Sequence, residues 1–294
     1  MQILLTGATG CLGQALVTEL SGAGHSVVAL MRPGATFAAS RCRDVVPMDL
    51  GRPLEVWHLP ARCDAVVHVA QSRNYRKSEG AELDIFRINT AATVELASYA
   101  ATAGARGFFY ASTGTLYRPS PDPIPETGAI SAATFYAASK LASEQMLAPF
   151  STGMTVTIGR LFHLYGPGQR DKLLNDIAGR LRSGKAIDLR GENGLQLAPT
   201  YSSDAARLIR LGVEEGWDGV YNMASPEFVS LREFTEEMGR ILGLTPTFAR
   251  QPGNAPDPVL PDLTKLKKRL TDWRFTPLHQ GFRQTLLQST TPSQ

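Results

Sequence analysis

Thr6-Gly7-Ala8-Thr9-Gly10-Cys11-Leu12-Gly13 stands between the apolar run Ile3-Leu4-Leu5 and a stretch in which Leu12, Leu16, Val17 and Leu20 recur at helical spacing. The run reads as a strand buried on both faces, and the repeat as a helix that stops at Gly22-Ala23-Gly24. A turn of this kind has a separate use for each glycine. One permits the tight turn, one lets the backbone approach a pyrophosphate, and one lets the helix pack closely on the sheet. The helix N-terminus adds free N–H groups and the positive end of its dipole. Gly7, Gly10 and Gly13, with Thr9, Cys11 and Leu12 between them, predict a dinucleotide cradle.

The same grammar continues outward. Val27-Val28-Ala29-Leu30, Asp44-Val45-Val46, Ala65 to Ala70, Phe108 to Ala111 and Thr155 to Ile158 read as strands. Helical stretches at about 81–103 and 134–147 lie between them. Strands alternating with helices predict βαβ units, hence an α/β fold: a Rossmann-type doubly wound parallel sheet with a smaller mixed α/β C-terminal substrate domain. The dinucleotide domain is expected over 1–165, its sheet completed by 199–222, with 166–198 and 223–294 capping the substrate. Pro119, Pro121, Pro123 and Pro125 make 117–127 a surface loop.

Composition removes several classes. The net charge of +3 over 294 residues is too small to imply nucleic acid. The densest basic run, Lys265, Lys267, Lys268 and Arg269, has no interleaved aromatics and reads as a solvated helix face. Cys11, Cys42 and Cys63 form no C-x-x-C pair, so neither a metal site nor a disulfide framework is expected. No apolar run reaches the ~18–20 residues of a membrane span, and no signal peptide precedes the glycine turn. The expectation is a cytoplasmic protein with a small-molecule substrate and neither a nucleic acid nor a membrane partner.

An acid at the end of the second strand bonds the 2′-hydroxyl of NAD, whereas an arginine there suits the 2′-phosphate of NADP. The strand ends Leu30-Met31-Arg32, so Arg32, with Arg41 or Arg43 nearby, points to NADP, with NAD as the alternative. Asp49-Leu50 stands either where a carboxylate binds the adenine amino group or as an ordinary loop start. Tyr136-Ala137-Ala138-Ser139-Lys140 sets a phenol and an ammonium on one helix face. The ammonium and an oxidised nicotinamide both favour the phenolate, so Tyr136 can pass a proton to or from an oxygen while a hydride moves at the same carbon.

On these motifs the chain resembles the extended short-chain dehydrogenase/reductase superfamily, which contains nucleotide-sugar epimerases, dehydratases and sugar reductases. The resemblance runs from the glycine turn through Asp64 to Ala70, Asn89 to Thr93, Ser112 to Tyr117, Tyr136 to Lys140, Arg160 to Gln169 and Tyr201 to Ala205, closing at Trp273-Arg274-Phe275-Thr276-Pro277. It implies that Thr113 bonds the reacting oxygen, with Ser112 as the fallback. It implies Tyr136 as acid/base and Lys140 as the residue that binds the nicotinamide ribose and tunes Tyr136. Asn89 would steady the cofactor pocket. Ala70, Gln71, Ala111, Leu161 and His163 would line the cofactor. Gln71, Thr113, Gly114, Thr115, Tyr136, His163 and Leu197 would face the substrate. A homodimer through the helices around 89–103 and 134–147 is also implied.

Departures from the pattern select among reactions. Gly114-Thr115 replace the acid pair of the dehydratases, which argues against dehydration. His163 replaces a usual Asn and either donates a hydrogen bond, titrating near neutral pH, or fills space beside the nicotinamide. Leu197 occupies the place of an arginine that grips a substrate pyrophosphate. Arg118 replaces a usual glycine and faces either an anionic substrate or solvent. The expected function is an NAD(P)-dependent oxidoreductase interconverting a secondary alcohol and a ketone on a small or sugar-like substrate. The alternatives are a sugar 4-epimerase with tightly held NAD and, last, a non-catalytic NADP-sensing regulator.

Overall fold

The structure is a computed structural model that describes residues 1–35, 41–77, 79–169, 173–272 and 274–287. Trp273 of the closing segment falls outside them. The first half runs β1 (Gln2–Thr6), α1 (Cys11–Gly22), β2 (Ser26–Met31), β3 (Asp44–Pro47), β4 (Ala65–His68), α2 (Glu82–Ile85), a π-helical segment (Phe86–Ala91), α3 (Ala92–Thr102), β5 (Gly107–Thr113), α4 (Phe135–Leu147) and β6 (Thr155–Leu161). The second half runs β7 (Leu164–Tyr165), α5 (Leu173–Arg182), β8 (Ile187–Arg190), β9 (Gln196–Leu197), β10 (Thr200–Tyr201), α6 (Ser202–Glu214), β11 (Gly219–Met223), β12 (Val229–Ser230), α7 (Leu231–Leu242), β13 (Phe248–Gln251), α8 (Thr264–Lys267) and α9 (Leu278–Leu287).

Seven of the described strands form one sheet in the order β11-β6-β5-β4-β1-β2-β3, every pair parallel. The winding reverses between β1 and β4, so the crevice beyond their carboxyl ends is where this topology receives a ligand. Two helical layers make the strands near-continuous apolar runs. Leu12, Leu16, Val17 and Leu20 of α1 pack with Ala205, Leu208 and Ile209 of α6 on one face. Leu96, Ala97 and Ala100 of α3 and Leu147 of α4 cover Val66, Phe108 and Val156 on the other. A separate core joins Leu174 and Ile177 of α5, Leu197 of β9, Phe234 and Met238 of α7 and Phe282 of α9.

The proline-rich stretch is held by the C-terminal part of the chain. Ile124 donates its N–H to the Leu260 carbonyl at 2.8 Å and accepts from Asp262 N–H at 2.9 Å, while Tyr117 and Ile124 are buried beside Phe162 and Ala224. The basic run is only partly a solvated face. Lys265 Nζ donates to the Val220 carbonyl at 2.6 Å and lies 4.1 Å from the Tyr221 ring centre, and Arg269 Nε donates to the Tyr221 hydroxyl at 3.2 Å. These cations close α8 onto β11; Lys267 and Lys268 are exposed.

Glu144 and Arg160 form a buried ion pair between α4 and β6. Arg160 donates through Nε to Glu144 Oε1 at 3.0 Å and through Nη2 to Oε2 at 2.6 Å, and each side chain is 6% exposed. The remaining guanidinium nitrogen donates to the Glu126 carbonyl at 3.1 Å, and Ser112 Oγ donates to Glu144 Oε1. Removing one partner of such a pair leaves an uncompensated buried charge, costing about 3–5 kcal/mol, whereas replacing both with apolar residues is often nearly neutral. Glu144→Leu is therefore expected to lose that much stability in urea, and Glu144→Leu with Arg160→Met much less. A single variant within about 1 kcal/mol of the parent contradicts this account.

Candidate active site

The glycine turn fits a dinucleotide pyrophosphate. Gly7 has φ +77°, and a Cβ there would stand 2.9 Å from the Ala70 nitrogen. A Cβ on Gly13 would stand 2.0 Å from the Gly7 carbonyl oxygen, so this position must be bare for α1 to meet the turn. Gly10 differs: an added Cβ would meet only that same oxygen, at 3.4 Å. The exposed Gly10 N-cap has room for a Cβ, so packing within the chain does not require a bare position there. No side chain caps α1 and no acid occupies its first turn, which leaves N–H groups and the positive dipole end for an anion. Thr9 and Cys11 flank this opening half-buried, while the Leu12 side chain is buried in the core and leaves only its backbone near the turn.

Leu30 is in register with Thr6, so the exposed Arg32 follows β2 at the ligand-binding edge. Arg41 and Arg43 do not join it. Arg43 precedes β3 and donates to Gln2 Oε1 at 3.1 Å, at the amino edge of the parallel sheet, and the Arg41 carbonyl accepts from Ser21 near the end of α1. Asp49 Oδ1 accepts the Gly51 N–H at 3.0 Å, the ordinary loop-starting role, and Leu50 is buried in the core.

At the other end of the crevice, α4 presents Tyr136, Lys140 and Glu144 on one face to β5. The Tyr136 hydroxyl donates to Gln71 Oε1 at 3.2 Å, and its ring lies 5.0 Å from that of Tyr75. Burial pushes the phenol well above its usual range, a hydrogen bond with the Thr113 side chain pulls it down, and Tyr75 adds a smaller upward push. Tyr136 is therefore a protonated donor in this state. The buried Lys140 ammonium donates to the Ala111 carbonyl at 2.8 Å and lies 4.8 Å from the Tyr110 ring centre, and its charge is also felt at His68.

Thr113 and Ser112 point to opposite faces, as neighbours on a strand must. Thr113 meets Tyr136 and accepts the Thr115 N–H at 3.2 Å, whereas Ser112 turns to Glu144, so the fallback residue faces away. Thr115 is exposed beside this pair. Gly114 is buried, with the Phe162 ring 2.3 Å from where its Cβ would be, so it packs against protein rather than facing a substrate. Arg118 is exposed.

Leu161 pairs in register with Thr113, and His163 follows two residues later with its backbone at φ +33°, an uncommon conformation for a residue with a side chain. His163 Nδ1 accepts the Ala198 N–H at 3.1 Å, which puts the proton of the neutral ring on Nε2. Although the residue has surface open to solvent, protein packed around the ring pushes the imidazole down to about 4, so the expected titration near neutral pH is corrected. Leu197, expected at the substrate, is fully buried in the C-terminal core. Its neighbours Ala198 and Pro199 are buried too, and the stretch supplies no cation.

Asn89 is a hub. Oδ1 accepts the Ser72 N–H at 2.9 Å, and Nδ2 donates to Ser139 Oγ at 3.0 Å, which donates to the Tyr136 carbonyl at 2.7 Å. It sits in the π-helical segment, a widening that apolar periodicity does not encode. His68, Tyr75, Glu144 and Arg160 went unassigned in the sequence. Their partners are 16 to 62 residues away, and no local spacing marks them. Ala70 donates its N–H to Thr6 Oγ at 3.2 Å beside the turn.

Gly10 and Gly13 separate ligand access from packing. Gly10→Ala is expected to keep the thermal midpoint of the parent while weakening dinucleotide binding tenfold or more, an effect of about 1.4 kcal/mol. Gly13→Ala forces backbone apart and is expected to destabilise the ligand-free protein by about 1–3 kcal/mol. Equal behaviour of the two in thermal melts and fluorescence titrations contradicts the assignment.

Comparison with known proteins agrees with this fold. The solved structure of MoeE5 in complex with UDP-glucuronic acid and NAD superposes with a TM-score of 0.84 at 25% identity, over 98% of this chain and 99% of that one. UDP-glucuronic acid decarboxylase 1 of Arabidopsis thaliana is 23% identical over 92% of this chain, which spans 65% of the length of that enzyme. The 3-diazoavenalumate denitrifying reductase of a Streptomyces species is 28% identical over 84% of this chain and 83% of its own. The solved MoeE5 complex holds NAD, and none of these likenesses supports the NADP preference expected from Arg32. No described helix is long and apolar enough to cross a membrane, and no metal-binding cluster occurs among the described residues. Residues 3–224 match the model of the NAD dependent epimerase/dehydratase family, and the chain belongs to that family.

Proposed function

We propose that this protein is an NAD(H)-dependent oxidoreductase that interconverts a ketone and a secondary alcohol on a substrate lacking a nucleoside diphosphate. The observation that carries the reading is the placement of Tyr136, in the first turn of α4, beside Thr113 at the carboxyl end of β5, with Lys140 one turn on bonded to the Ala111 carbonyl. The dinucleotide, when bound on the glycine turn, supplies the hydride to the carbonyl carbon or takes it back. Tyr136 gives its proton to the carbonyl oxygen in reduction and regains one in the reverse direction. Thr113 holds that oxygen in hydrogen-bond reach of the phenol. Lys140 fixes α4 on β5 and brings a buried positive charge to the crevice. His163 offers Nε2–H, and Gln71 and Tyr75 contact Tyr136 from the loop after β4. The apolar stretch Leu197-Ala198-Pro199 supports a substrate without a pyrophosphate.

Epimerisation of a nucleotide sugar with retained NAD is the second reading, favoured by the likeness to MoeE5, which is solved with UDP-glucuronic acid and NAD. We further propose a homodimer through the faces of α2 to α4, where Leu83, Phe86 and Met146 are exposed at 78%, 44% and 45%.

Tyr136→Phe is expected to leave NADH affinity nearly intact and to lower turnover by ~10²–10⁴. Unchanged turnover refutes the proton-transfer role. The reaction itself is decided by absorbance at the reduced nicotinamide band: stoichiometric loss of NADH with simple ketones supports net reduction. Conversion of a UDP-sugar to its epimer, with no change in NADH, overturns it. Tighter binding of NADPH than NADH, lost in Arg32→Ala, would reinstate the phosphate-binding role of that arginine.

A further inference from the structure

His68 is fully buried at the end of β4, between the glycine turn and the helix that carries Asn89, and the proton-transfer mechanism does not use it. Its two ring nitrogens each have a threonine partner: Nδ1 lies 2.7 Å from Thr6 Oγ and Nε2 lies 3.0 Å from Thr93 Oγ. The direction of every proton along this line follows from its ends. Thr93 Oγ donates its one proton to the Asn89 carbonyl at 2.6 Å, so toward His68 it can only accept. The imidazole proton is therefore on Nε2, and Nδ1 must accept. Thr6 Oγ accordingly donates to Nδ1 and, in turn, accepts the Ala70 N–H at 3.2 Å.

The result is a one-way chain from Ala70 N–H through Thr6, His68 and Thr93 to the carbonyl of Asn89. Both ends matter to the crevice. Thr6 immediately precedes Gly7, whose missing Cβ is where Ala70 approaches. The Asn89 carbonyl also accepts from Ser143 Oγ of α4 at 2.8 Å, and the Asn89 side chain reaches Tyr136 through Ser139. Burial, with the Lys140 ammonium adding to it, holds the His68 imidazole down at about 3, so the ring stays neutral and the donor–acceptor order is kept at neutral pH.

We propose that His68 is a positioning residue that couples the dinucleotide turn to the helices holding Asn89 and Tyr136, so that an alteration on the α3 side of the ring is felt at the turn. The proposal rests on the reading of the glycine turn as the dinucleotide site, but its structural part does not depend on which substrate is turned over.

The test is a double-mutant cycle read by NADH binding, thermal midpoint and the ¹⁵N shifts of the His68 ring. Thr93→Val lies across His68 from the turn. It is expected to weaken NADH binding about fivefold, as Thr6→Val does, and the double variant to be no weaker than either single change. His68→Gln, which keeps one acceptor and one donor, is expected to restore most of the affinity lost in His68→Leu. The ring of the parent protein should show protonated Nε2 and bare Nδ1 from pH 8 to pH 5. Thr93→Val with parental NADH affinity, or affinity losses that simply add, overturns the coupling even if thermal midpoints fall, since a merely structural role moves only the midpoint. A ring protonated on Nδ1 overturns the chain itself. If the parent protein does not bind NADH, the reading of the turn fails instead, while the ring shifts still decide the direction of the chain.

Discussion

The ammonium of Lys140, buried and bonded to the carbonyl of Ala111, fixes α4 against β5. A charge is not taken out of water without partners, and here the strand end and the Tyr110 ring supply them. Helical spacing does the rest. Tyr136 and Glu144 lie one turn to either side of Lys140, so docking the ammonium also aims the phenol at Thr113 and delivers the carboxylate to Arg160. The site and the ion pair behind it are two consequences of one helix orientation. A substitution that loosens α4 is thus felt in both stability and chemistry.

This arrangement explains which parts of the molecule could be read in advance. The glycine turn and the Tyr136–Lys140 spacing are local, and local geometry translates directly into residue types. The parallel sheet with helices on both faces follows from alternating strands and helices. Arg43 shows where that reasoning stops. It is close to Arg32 along the chain, but a parallel sheet puts the start of β3 at the opposite edge from the end of β2, and Arg43 faces Gln2. Proximity in sequence is no guide across a strand's length.

Asn89 and His68 fail to announce themselves for a different reason. Helical periodicity over 81–103 is continuous enough to be read as one helix, yet one added residue per turn in Phe86–Ala91 turns the Asn89 carbonyl toward hydroxyls from α3 and α4. His68 sits in an apolar strand and reads as a polar exception there. Only the pairing of β4 with β1, in which His68 stands opposite Thr6, reveals its use. Leu197 teaches the converse. The missing arginine was legible as an absence, but the leucine faces a core rather than the crevice, so the site is defined there by what no longer reaches it.

That absence bears on the choice of reaction. An epimerase must hold its oxidised intermediate until hydride returns to the opposite face, and a pyrophosphate gripped by arginine is a strong tether. Loss of a buried, charge-assisted pair costs about 2–5 kcal/mol, chiefly in the rate of release. Release of the ketone is then faster by roughly thirtyfold to several thousandfold. Under the proposed function, the stretch Leu197-Ala198-Pro199 offers no such tether, a ketone formed beside Thr113 and Tyr136 would escape sooner, and net oxidoreduction would follow. Burial that raises the Tyr136 phenol keeps it protonated at rest but also makes it a weaker acid, so it sets the resting proton and not the direction of the reaction. Faster release would favour net turnover over epimerisation without any change at Thr113 or Tyr136.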